Sequence, residues 1–384
     1  MSPAPEELIA RRLAGIEISG IRRVFDLGQK LAHPLDLSIG QPDFDVPERV
    51  KEAAVAAIRA GGNRYTVTQG IPELREKLRQ RVIARTGWTP EATMVTSGVS
   101  GGLMLALLAL VDPGDEVLIP DPYFVSYKQL VNLFGGSPRF IDTYPDFRLR
   151  AAALEEAVTP RSKLLILNSP GNPTGVVYSL AELELAVEFA KEHRLFIISD
   201  EIYHDFVYDG EYHSVAECTD QLLLLDGFSK SYAMTGWRVG YAAGPQAIIA
   251  EMTKLQQFSF VCAPAPAQMA ALVALDLPVA EVQATYRAKR DLVYEGLADC
   301  YEVTRPEGAF YIFPRVPRGT DEEFVTGAIE HNLLIIPGSV FSQRHSHFRL
   351  SFAASDETLS AGVQMLRRWA REGFSSLTAT SLTA

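Results

Sequence analysis

The chain has 384 residues, a length typical of two to three domains, and 47% of them are apolar, as in globular proteins that bury a large core. Its 36 Lys and Arg against 47 Asp and Glu give a net charge of −11, which argues against nucleic acid or an anionic membrane surface as the main partner. The longest apolar run, Leu103–Val111, is too short to cross a bilayer. The charged amino terminus does not resemble a signal peptide.

Cysteine and histidine usage predicts no metal centre. The three cysteines, Cys218, Cys262 and Cys300, are widely spaced, which favours reduced thiols and a cytoplasmic location over a disulfide framework or a zinc site. His345 and His347 form an H-x-H pattern, but no further cluster of metal-ligating residues accompanies it.

From about residue 45 to 277, short apolar runs alternate with stretches of helical periodicity, such as Leu180–His193. The runs predicted to be buried strands are Met94–Thr96, Val117–Ile119, Leu164–Leu167, Phe196–Ser199, Leu222–Leu225 and Val239–Ala242. Alternation of this kind predicts an α/β fold, in which a large domain has a mostly parallel sheet sandwiched by helices.

The pattern changes near Pro278, where strict alternation ends. An amphipathic helix is predicted over about Val279–Ala298 and another over about Asp356–Arg371. Between them lie the strand-like segments Glu302–Thr304, Phe310–Phe313, Leu333–Ile336 and Phe348–Ser351. We expect a smaller α+β domain built from residues 1–44 and 278–374, and a disordered tail at 375–384.

Polar residues follow four of the predicted strands, at the edge where an open parallel sheet binds ligands. They are Thr96–Ser100, Asn168–Gly175, Asp200 with Tyr203, and Ser229 with Lys230. Each segment is ambiguous when it is taken alone. A Gly/Ser turn before the helix Gly101–Val111 can hold a phosphate or merely start that helix, and Asp200 can simply cap a helix.

The segment Ser229–Gly240 carries a more specific pattern, S-K-x-x-x-M-x-G-x-R-x-G. This pattern resembles the cofactor-lysine signature of class I aminotransferases, which belong to the fold-type I family dependent on pyridoxal 5′-phosphate (PLP). Further motifs agree in order and spacing, namely Leu37–Phe44, Tyr65, Pro122–Phe124, Asn172–Gly175, Ser199–Tyr203 and Phe348–Ser351. The resemblance implies a transaminase that moves amino groups between amino acids and 2-oxo acids.

The resemblance also implies roles around the cofactor ring. Lys230 would hold PLP as an imine and then carry protons, which suits a lysine with a pKa tuned to about 7–8. Asp200 would keep the pyridine nitrogen protonated, so that the ring accepts electrons. Tyr203 and Asn172 would hydrogen-bond the phenolic oxygen. Phe124 would stack on the ring, although its position suits an ordinary core aromatic equally well.

Anionic groups would be held by arginines and by backbone amides. Arg349 would bind the substrate α-carboxylate, and Arg238 the cofactor phosphate, by paired hydrogen bonds. The residues implied to assist Arg349 are Gly40, Phe124 and Asn172. Those implied to assist Arg238 are Gly98, Val99, Ser100, Ser229 and, from the neighbouring subunit of a homodimer, Tyr65. Relatives often carry Ser or Thr three residues before the lysine, where this chain has Gly227. The sequence therefore does not decide whether the phosphate is bound at this position.

The donor specificity is predicted from an absence of cations. Leu103–Leu110, after the phosphate turn, contains no lysine that could bind a second carboxylate. Neutral donors, aromatic or small aliphatic, are therefore expected to outperform aspartate, with 2-oxoglutarate or pyruvate as acceptor. Arg22 or Arg23 offers another clamp, so aspartate aminotransferase stays an alternative. The same scaffold also suits a PLP-dependent C–S β-lyase, a cyclopropane-forming synthase or a cofactor-sensing regulator.

Overall fold

The computed structural model describes residues 4–373, and the tail predicted at 375–384 lies outside them. The strands are β1 Leu35–Asp36, β2 Ala92–Thr96, β3 Glu116–Asp121, β4 Ser137–Asp142, β5 Ser162–Asn168, β6 Phe196–Asp200, β7 Leu222–Gly227, β8 Gly240–Gly244, β9 Tyr311–Ile312, β10 Leu333–Leu334, β11 Ile336–Pro337 and β12 Phe348–Ser351. The helices are α1 Gly20–Gly28, α2 Glu48–Arg59, α3 Pro72–Thr86, α4 Gly98–Leu110, α5 Ser126–Leu133, α6 Ala151–Ala157, α7 Leu180–Glu192, α8 Gln246–Gln257, α9 Ala265–Ala274, α10 Ala280–Leu297, α11 Asp321–Glu330 and α12 Asp356–Glu372.

A seven-stranded sheet with the order β2-β8-β7-β6-β5-β3-β4 forms the centre of the molecule. The strands from β7 to β4 in this order pair in parallel, whereas β8 is antiparallel to both β7 and β2. The mostly parallel sheet flanked by helices agrees with the predicted fold class. Its parallel strands all end at one edge, and this edge carries the candidate site.

Strands of this sheet are apolar on both faces because helices cover both. In β7, Leu223 and Leu225 pack in one cluster with α4 and α8, while Leu222 and Leu224 pack in another with α3 and α7. The same division continues in the neighbouring β6, where Ile198 and Ile197 face opposite sides. A residue's position along the strand therefore fixes the face on which its side chain lies.

A second group of elements lies around two small sheets. One pairs β1 with β10 in parallel, and the other is the antiparallel order β11-β12-β9. Residues of β1, β9, β10 and β12 share a second apolar core with α10, α11 and α12, in which Trp369 and Phe324 are buried. Ile336 of β11 packs instead with the core of the large sheet. None of the helices within residues 4–373 combines the length and apolar character needed to cross a bilayer.

Three details of the predicted elements were wrong. The edge strand β4 was missed because its sequence, Ser-Pro-Arg-Phe-Ile-Asp, has no apolar run. The strand predicted at Glu302–Thr304 does not form: a single bond from Arg315 N to Glu302 O, 2.9 Å long, replaces a ladder. The predicted strand Leu333–Ile336 is divided between two sheets, since β10 pairs with β1 and β11 with β12.

Candidate active site

A cleft opens at the edge where the parallel strands of the large sheet end. Asn168 and Asp200 lie at the ends of β5 and β6, and Lys230 follows β7. The small sheets contribute Tyr311 and Arg349 from β9 and β12. The remaining lining residues are Ile21, Gly40, Val99, Ser100, Phe124, Tyr127, Asn172, Ile202, Tyr203, Ser229, Thr235 and Arg238.

Lys230 is the one lysine among the residues that line the cleft. Burial lowers its pKa to about 8, assisted by the charges of Arg349 and Arg238 and opposed by that of Asp200. Its Nζ donates a hydrogen bond to the carbonyl oxygen of Gly40 at 2.6 Å. The amine is thus available in neutral form near physiological pH, as a nucleophile or proton carrier must be.

Asp200 is a buried carboxylate held by a buried tyrosine. Its side chain is 4% exposed, and burial raises its pKa to about 6. The hydroxyl of Tyr127 donates to Asp200 Oδ2 at 2.7 Å, and the backbone N–H of Ile202 donates to Oδ1 at 3.3 Å. Both bonds act to lower the pKa, and they fix the carboxylate at the cleft. The predictions from sequence gave Tyr127 no role, although its backbone N–H donates to the carbonyl oxygen of Phe124 at 3.0 Å.

Arg349 is a buried arginine without a carboxylate partner among its hydrogen bonds. It is 1% exposed, and it donates to Asn172 Oδ1 at 2.9 Å and to the carbonyl oxygen of Ser38 at 2.7 Å. Its guanidinium lies 4.5 Å from the ring centres of both Tyr311 and Phe341. Burial lowers its pKa. An arginine fixed in this way strongly favours an anion in the cleft.

Tyr203 and Tyr311 face each other in the cleft wall, with their hydroxyl oxygens 2.8 Å apart. Both are buried, and burial raises the pKa of each phenol. They therefore stay protonated, and one of the two hydroxyls donates to the other. Tyr311 lies in the strand-like segment Phe310–Phe313, but its role in the site was not predicted from sequence.

The turn that starts α4 brings backbone amides next to Arg238. Gly98 has a φ of +68°, and a Cβ there would lie 2.5 Å from Arg238 Nη2, so only glycine fits. Gly227 lies against β8, where a Cβ would approach the Cα of Gly240 to 2.9 Å. A Ser or Thr at position 227 would thus require the backbone to move. Ser229 lines the cleft in its place.

Tyr65 and the histidines of the H-x-H pattern do not line the cleft. Tyr65 is 83% exposed on the surface of the chain. His347 is buried and stacks on Phe313 with ring centres 5.1 Å apart, whereas His345 is exposed and pairs with Asp321 at 3.3 Å. Gly98 contacts the site through Arg238 and is not itself a lining residue.

A family model described as "Aminotransferase class I and II" matches residues 32–366. The chain belongs to this family. The match spans both the large sheet with its cleft and most of the elements around Arg349. The chain is accordingly an aminotransferase of fold type I, as the resemblance implied, and PLP is the cofactor of this family.

The family members similar to this chain differ in their named substrates. A "Probable aspartate aminotransferase" of Methanocaldococcus jannaschii is 38% identical, over 94% of this chain and 99% of the relative. "Aromatic-amino-acid aminotransferase 2" of Thermococcus litoralis is 37% identical, over 95% and 98%. The solved structure of aspartate aminotransferase from Thermus thermophilus with maleate has a TM-score of 0.90 at 35% identity, covering 94% of this chain and 99% of that chain.

The charges of the cleft fit the family cofactor and its substrates. Among the lining residues, the cations are Lys230, Arg238 and Arg349, and the one carboxylate is Asp200. A phosphate and a carboxylate would balance this excess of positive charge. Arg349 Nε is also buried without a hydrogen-bond partner. The amides at Gly98 and the guanidinium of Arg238 suit the phosphate, since both present N–H groups to one place.

Proposed function

We propose that this aminotransferase attaches PLP covalently to Lys230 and uses it to transfer amino groups from neutral amino acids to 2-oxo acids. The single observation that carries the assignment is the placement of Lys230 in a cleft that also contains Asp200 and Arg349. Asp200 would hold the pyridine nitrogen in its protonated form. Arg238, Ser229 and the amides of Gly98, Val99 and Ser100 would hold the phosphate.

Bound PLP supplies an electron-accepting ring that takes up the electrons left when the Cα–H bond of the amino acid breaks. The neutral amine of Lys230 accepts the Cα proton at Nζ, for which its lowered pKa suits it. Tyr203 would donate a hydrogen bond to the phenolic oxygen, and Tyr311 holds its hydroxyl in place. Phe124 would pack against the ring, and its edge contact with Tyr127 fixes its orientation.

Arg349 orients the substrate by its α-carboxylate. Asn172 and the carbonyl of Ser38 each hold one of its terminal nitrogens, so the plane of the guanidinium is set before substrate arrives. The amide of Asn172 and the N–H of Gly40 would complete the carboxylate contacts. Such preorganisation lowers the entropic cost of placing Cα beside Lys230.

Neutral donors are favoured because each cation of the cleft already has a proposed role. Arg238 would bind the phosphate, Arg349 the α-carboxylate, and Lys230 the cofactor and the Cα proton. A distal carboxylate would need a further cation, and the lining residues contain none beyond Lys230, Arg238 and Arg349. Arg22, next to the lining residue Ile21, is exposed and pairs with Asp26 at 3.1 Å. The name of a relative, a probable aspartate aminotransferase, supports the alternative that aspartate is the donor, and Arg22 or Arg23 would then bind its second carboxylate.

A homodimer would complete the site through Tyr65. The side chain of Tyr65 does not line its own cleft and is largely exposed, as expected of a residue that reaches the phosphate of a neighbouring subunit. Light scattering should give a dimer, and Tyr65→Phe should weaken cofactor retention without dissociating the dimer. A fully active monomer would contradict this.

We further propose a cytoplasmic location, in keeping with the three free cysteines. Cell fractionation would test it.

Single-turnover measurements test the proposed reaction. Holoenzyme is mixed with phenylalanine, alanine or aspartate, and the loss of the cofactor's visible absorbance is recorded with the products. Transamination leaves pyridoxamine phosphate and a 2-oxo acid. A C–S β-lyase would not convert these donors by elimination, because none of them carries a sulfur leaving group on Cβ. We expect phenylalanine or alanine to react with a higher kcat/KM than aspartate. A preference for aspartate of about tenfold or more, equivalent to ~1.4 kcal/mol, would refute the neutral-donor proposal, and Arg22→Ala would then identify the clamp.

A further inference from the structure

A cluster of buried charges lies behind the cleft, on the opposite face of β6 and β7. In the parallel register Asp200 pairs with Leu225, and the N–H of Glu201 donates to Leu225 O at 2.9 Å. Side chains alternate between faces, so Glu201 and Asp226 both lie on the face away from the cofactor site, under α3. They are 1% exposed, which places two carboxylates side by side in the interior.

Arg85, from the last turn of α3, bridges these carboxylates. Its Nη2 lies 2.8 Å from Glu201 Oε2, and its Nη1 lies 3.2 Å from Asp226 Oδ2. The hydroxyl of Tyr241 also donates to Asp226 Oδ2 at 2.7 Å. Ser214 donates to Glu201 Oε1 at 2.7 Å. Without the guanidinium, the two carboxylates would repel each other, and the bridge between the ends of β6 and β7 would be lost.

The charged residues at and around Arg85 include equal numbers of cations and anions. His204 Nδ1 lies 3.2 Å from Asp226 Oδ2, and its Nε2 lies 3.2 Å from Asp205 Oδ1. Arg81 Nη2 lies 3.3 Å from Asp205 Oδ2. Burial and Arg85 act to lower the pKa of His204, but Asp205 and Asp226 outweigh them and raise it to about 9. The Arg85 cluster, defined as Arg81, Arg85, Glu201, His204, Asp205 and Asp226, thus contains as many cations as anions at neutral pH.

This cluster is joined to the catalytic groups by very short lengths of chain. Glu201 directly follows Asp200, and Asp226 precedes Lys230 by four residues. Asp226 Oδ1 accepts the N–H of Gly227, at the last residue of β7. Glu201 and Asp226 also act electrostatically on Asp200, since their charges raise its pKa. Any movement or uncompensated charge at Glu201 or Asp226 is therefore transmitted to the cleft.

We propose that Arg85 is a positioning residue for transamination: by bridging Glu201 and Asp226 it fixes the ends of β6 and β7, and with them the separation of Asp200 and Lys230. Arg85 does not contact cofactor or substrate. The inference rests on the proposed roles of Asp200 and Lys230. Three tyrosines also face the cluster, and they are neutral groups there because burial raises the pKa of each; they are Tyr212, Tyr232 and Tyr241.

The experiment compares four variants as holoenzymes: Arg85→Met, Arg85→Lys, Arg85→Met with Asp226→Asn, and Arg79→Met as a control. Arg79 lies on the same helix and pairs with Glu76 at 3.8 Å. For each, kcat, KM and the pH midpoint of the bound cofactor's visible absorbance are measured. Arg85→Met should lower kcat by about tenfold or more and leave KM within about threefold of the wild-type value. The reason is that a small misplacement of reacting groups slows chemistry more than it weakens binding.

The pH midpoint of the cofactor absorbance distinguishes an effect of charge from an effect of geometry. Arg85→Met leaves an uncompensated carboxylate and should raise the midpoint, since negative charge favours the protonated form. Replacing Asp226 as well should return the midpoint towards wild type while kcat stays low. Arg85→Lys should keep the midpoint but lower kcat by about threefold or more, because one ammonium cannot bridge two carboxylates as a planar guanidinium does. Arg79→Met should change neither.

A folded Arg85→Met enzyme with wild-type kcat and midpoint would overturn the proposal, and so would Arg85→Lys with wild-type kcat. If Arg85→Met does not fold, Arg85→Lys decides by the same criterion. Failure of the proposed cofactor attachment is recognised separately, because Lys230→Ala would then still trap covalent cofactor on another lysine.

Discussion

The cleft and the Arg85 cluster lie on opposite faces of the ends of β6 and β7. They differ in the balance between their cations and their carboxylates. In the cluster each cation has a carboxylate within 3.3 Å. In the cleft, Lys230, Arg238 and Arg349 face the single carboxylate Asp200. A balanced buried cluster leaves no net charge for a ligand to neutralise, whereas an unbalanced one favours ligands of opposite charge. The difference supports the proposal that the cofactor phosphate and the substrate carboxylate bind on the cleft face.

Removing the one anion of the cleft should have the largest effect. In the proposed mechanism, Asp200→Ala would leave the pyridine nitrogen without a partner, so the ring would accept electrons poorly while Lys230 and Arg238 would still hold the cofactor. We expect kcat to fall by about a hundredfold or more, equivalent to ~2.7 kcal/mol in the barrier. Steady-state kinetics on cofactor-saturated enzyme measure this. Activity within about tenfold of wild type would remove Asp200 from the mechanism.

Removing an excess cation should weaken substrate use more than cofactor binding. Arg349→Ala deletes the buried guanidinium that is proposed to bind the α-carboxylate. We expect kcat/KM for every donor to fall by about a hundredfold, as for loss of a buried charged hydrogen-bond pair. Arg315→Ala is the matched control, because Arg315 is exposed and pairs with Glu302 at 2.9 Å. Equal losses in both variants would contradict the assigned contact.

The unbalanced charge of the cleft also predicts a pH dependence. The pKa of Lys230 lies near 8 because burial and Arg349 lower it, and only the neutral amine reacts with the cofactor aldehyde. The rate at which apoenzyme captures PLP should therefore rise with pH up to about 8 and then level off. A lysine amide free in solution, with a pKa of about 10.4, is the control and should keep gaining rate. A capture rate that parallels this control up to about pH 10 would contradict the lowered pKa.

The smallest effect is expected at Tyr127. Tyr127→Phe removes the hydroxyl that donates to Asp200 Oδ2 but keeps the ring that contacts Phe124. One hydrogen bond to a charged group contributes about 1.5–3 kcal/mol. Because the N–H of Ile202 remains, we expect about half of this to be lost, ~0.7–1.4 kcal/mol, so that kcat falls by about three- to tenfold. Tyr123→Phe, next to the same loop, should leave kcat near wild type. The proposed support of Asp200 fails if the two variants behave alike.

Much of the fold was predictable because the large sheet is covered on both faces. Strands such as β6 and β7 are continuous apolar runs, and the polar residues at their ends stand out. The edge strand β4 lacks that signal, since Ser137 and Arg139 lie at the margin of the sheet. The short strands β10 and β11 share one apolar run, and their division between two sheets is decided by tertiary packing.

The candidate site was predictable where a residue belongs to a local motif. Lys230, Asp200 and Arg349 stand in such motifs and lie together in the cleft. Tyr127 was missed because it is an ordinary helical tyrosine until the fold brings it to Asp200, 73 residues away. Arg85 was missed for the same reason: it lies 116 residues before Glu201 and 141 before Asp226. Long-range pairs of this kind leave no trace in local sequence patterns.

The most direct test of the central claim is to identify the lysine that carries the cofactor. Holoenzyme is reduced with borohydride and digested, and the modified peptide is located by mass spectrometry, with Lys230→Ala as the comparison and Lys254→Ala as the control at an exposed lysine. We predict a single modified peptide containing Lys230 in wild type and in Lys254→Ala, and none in Lys230→Ala. Modification of a different lysine in wild type, or undiminished trapping in Lys230→Ala, would contradict the account.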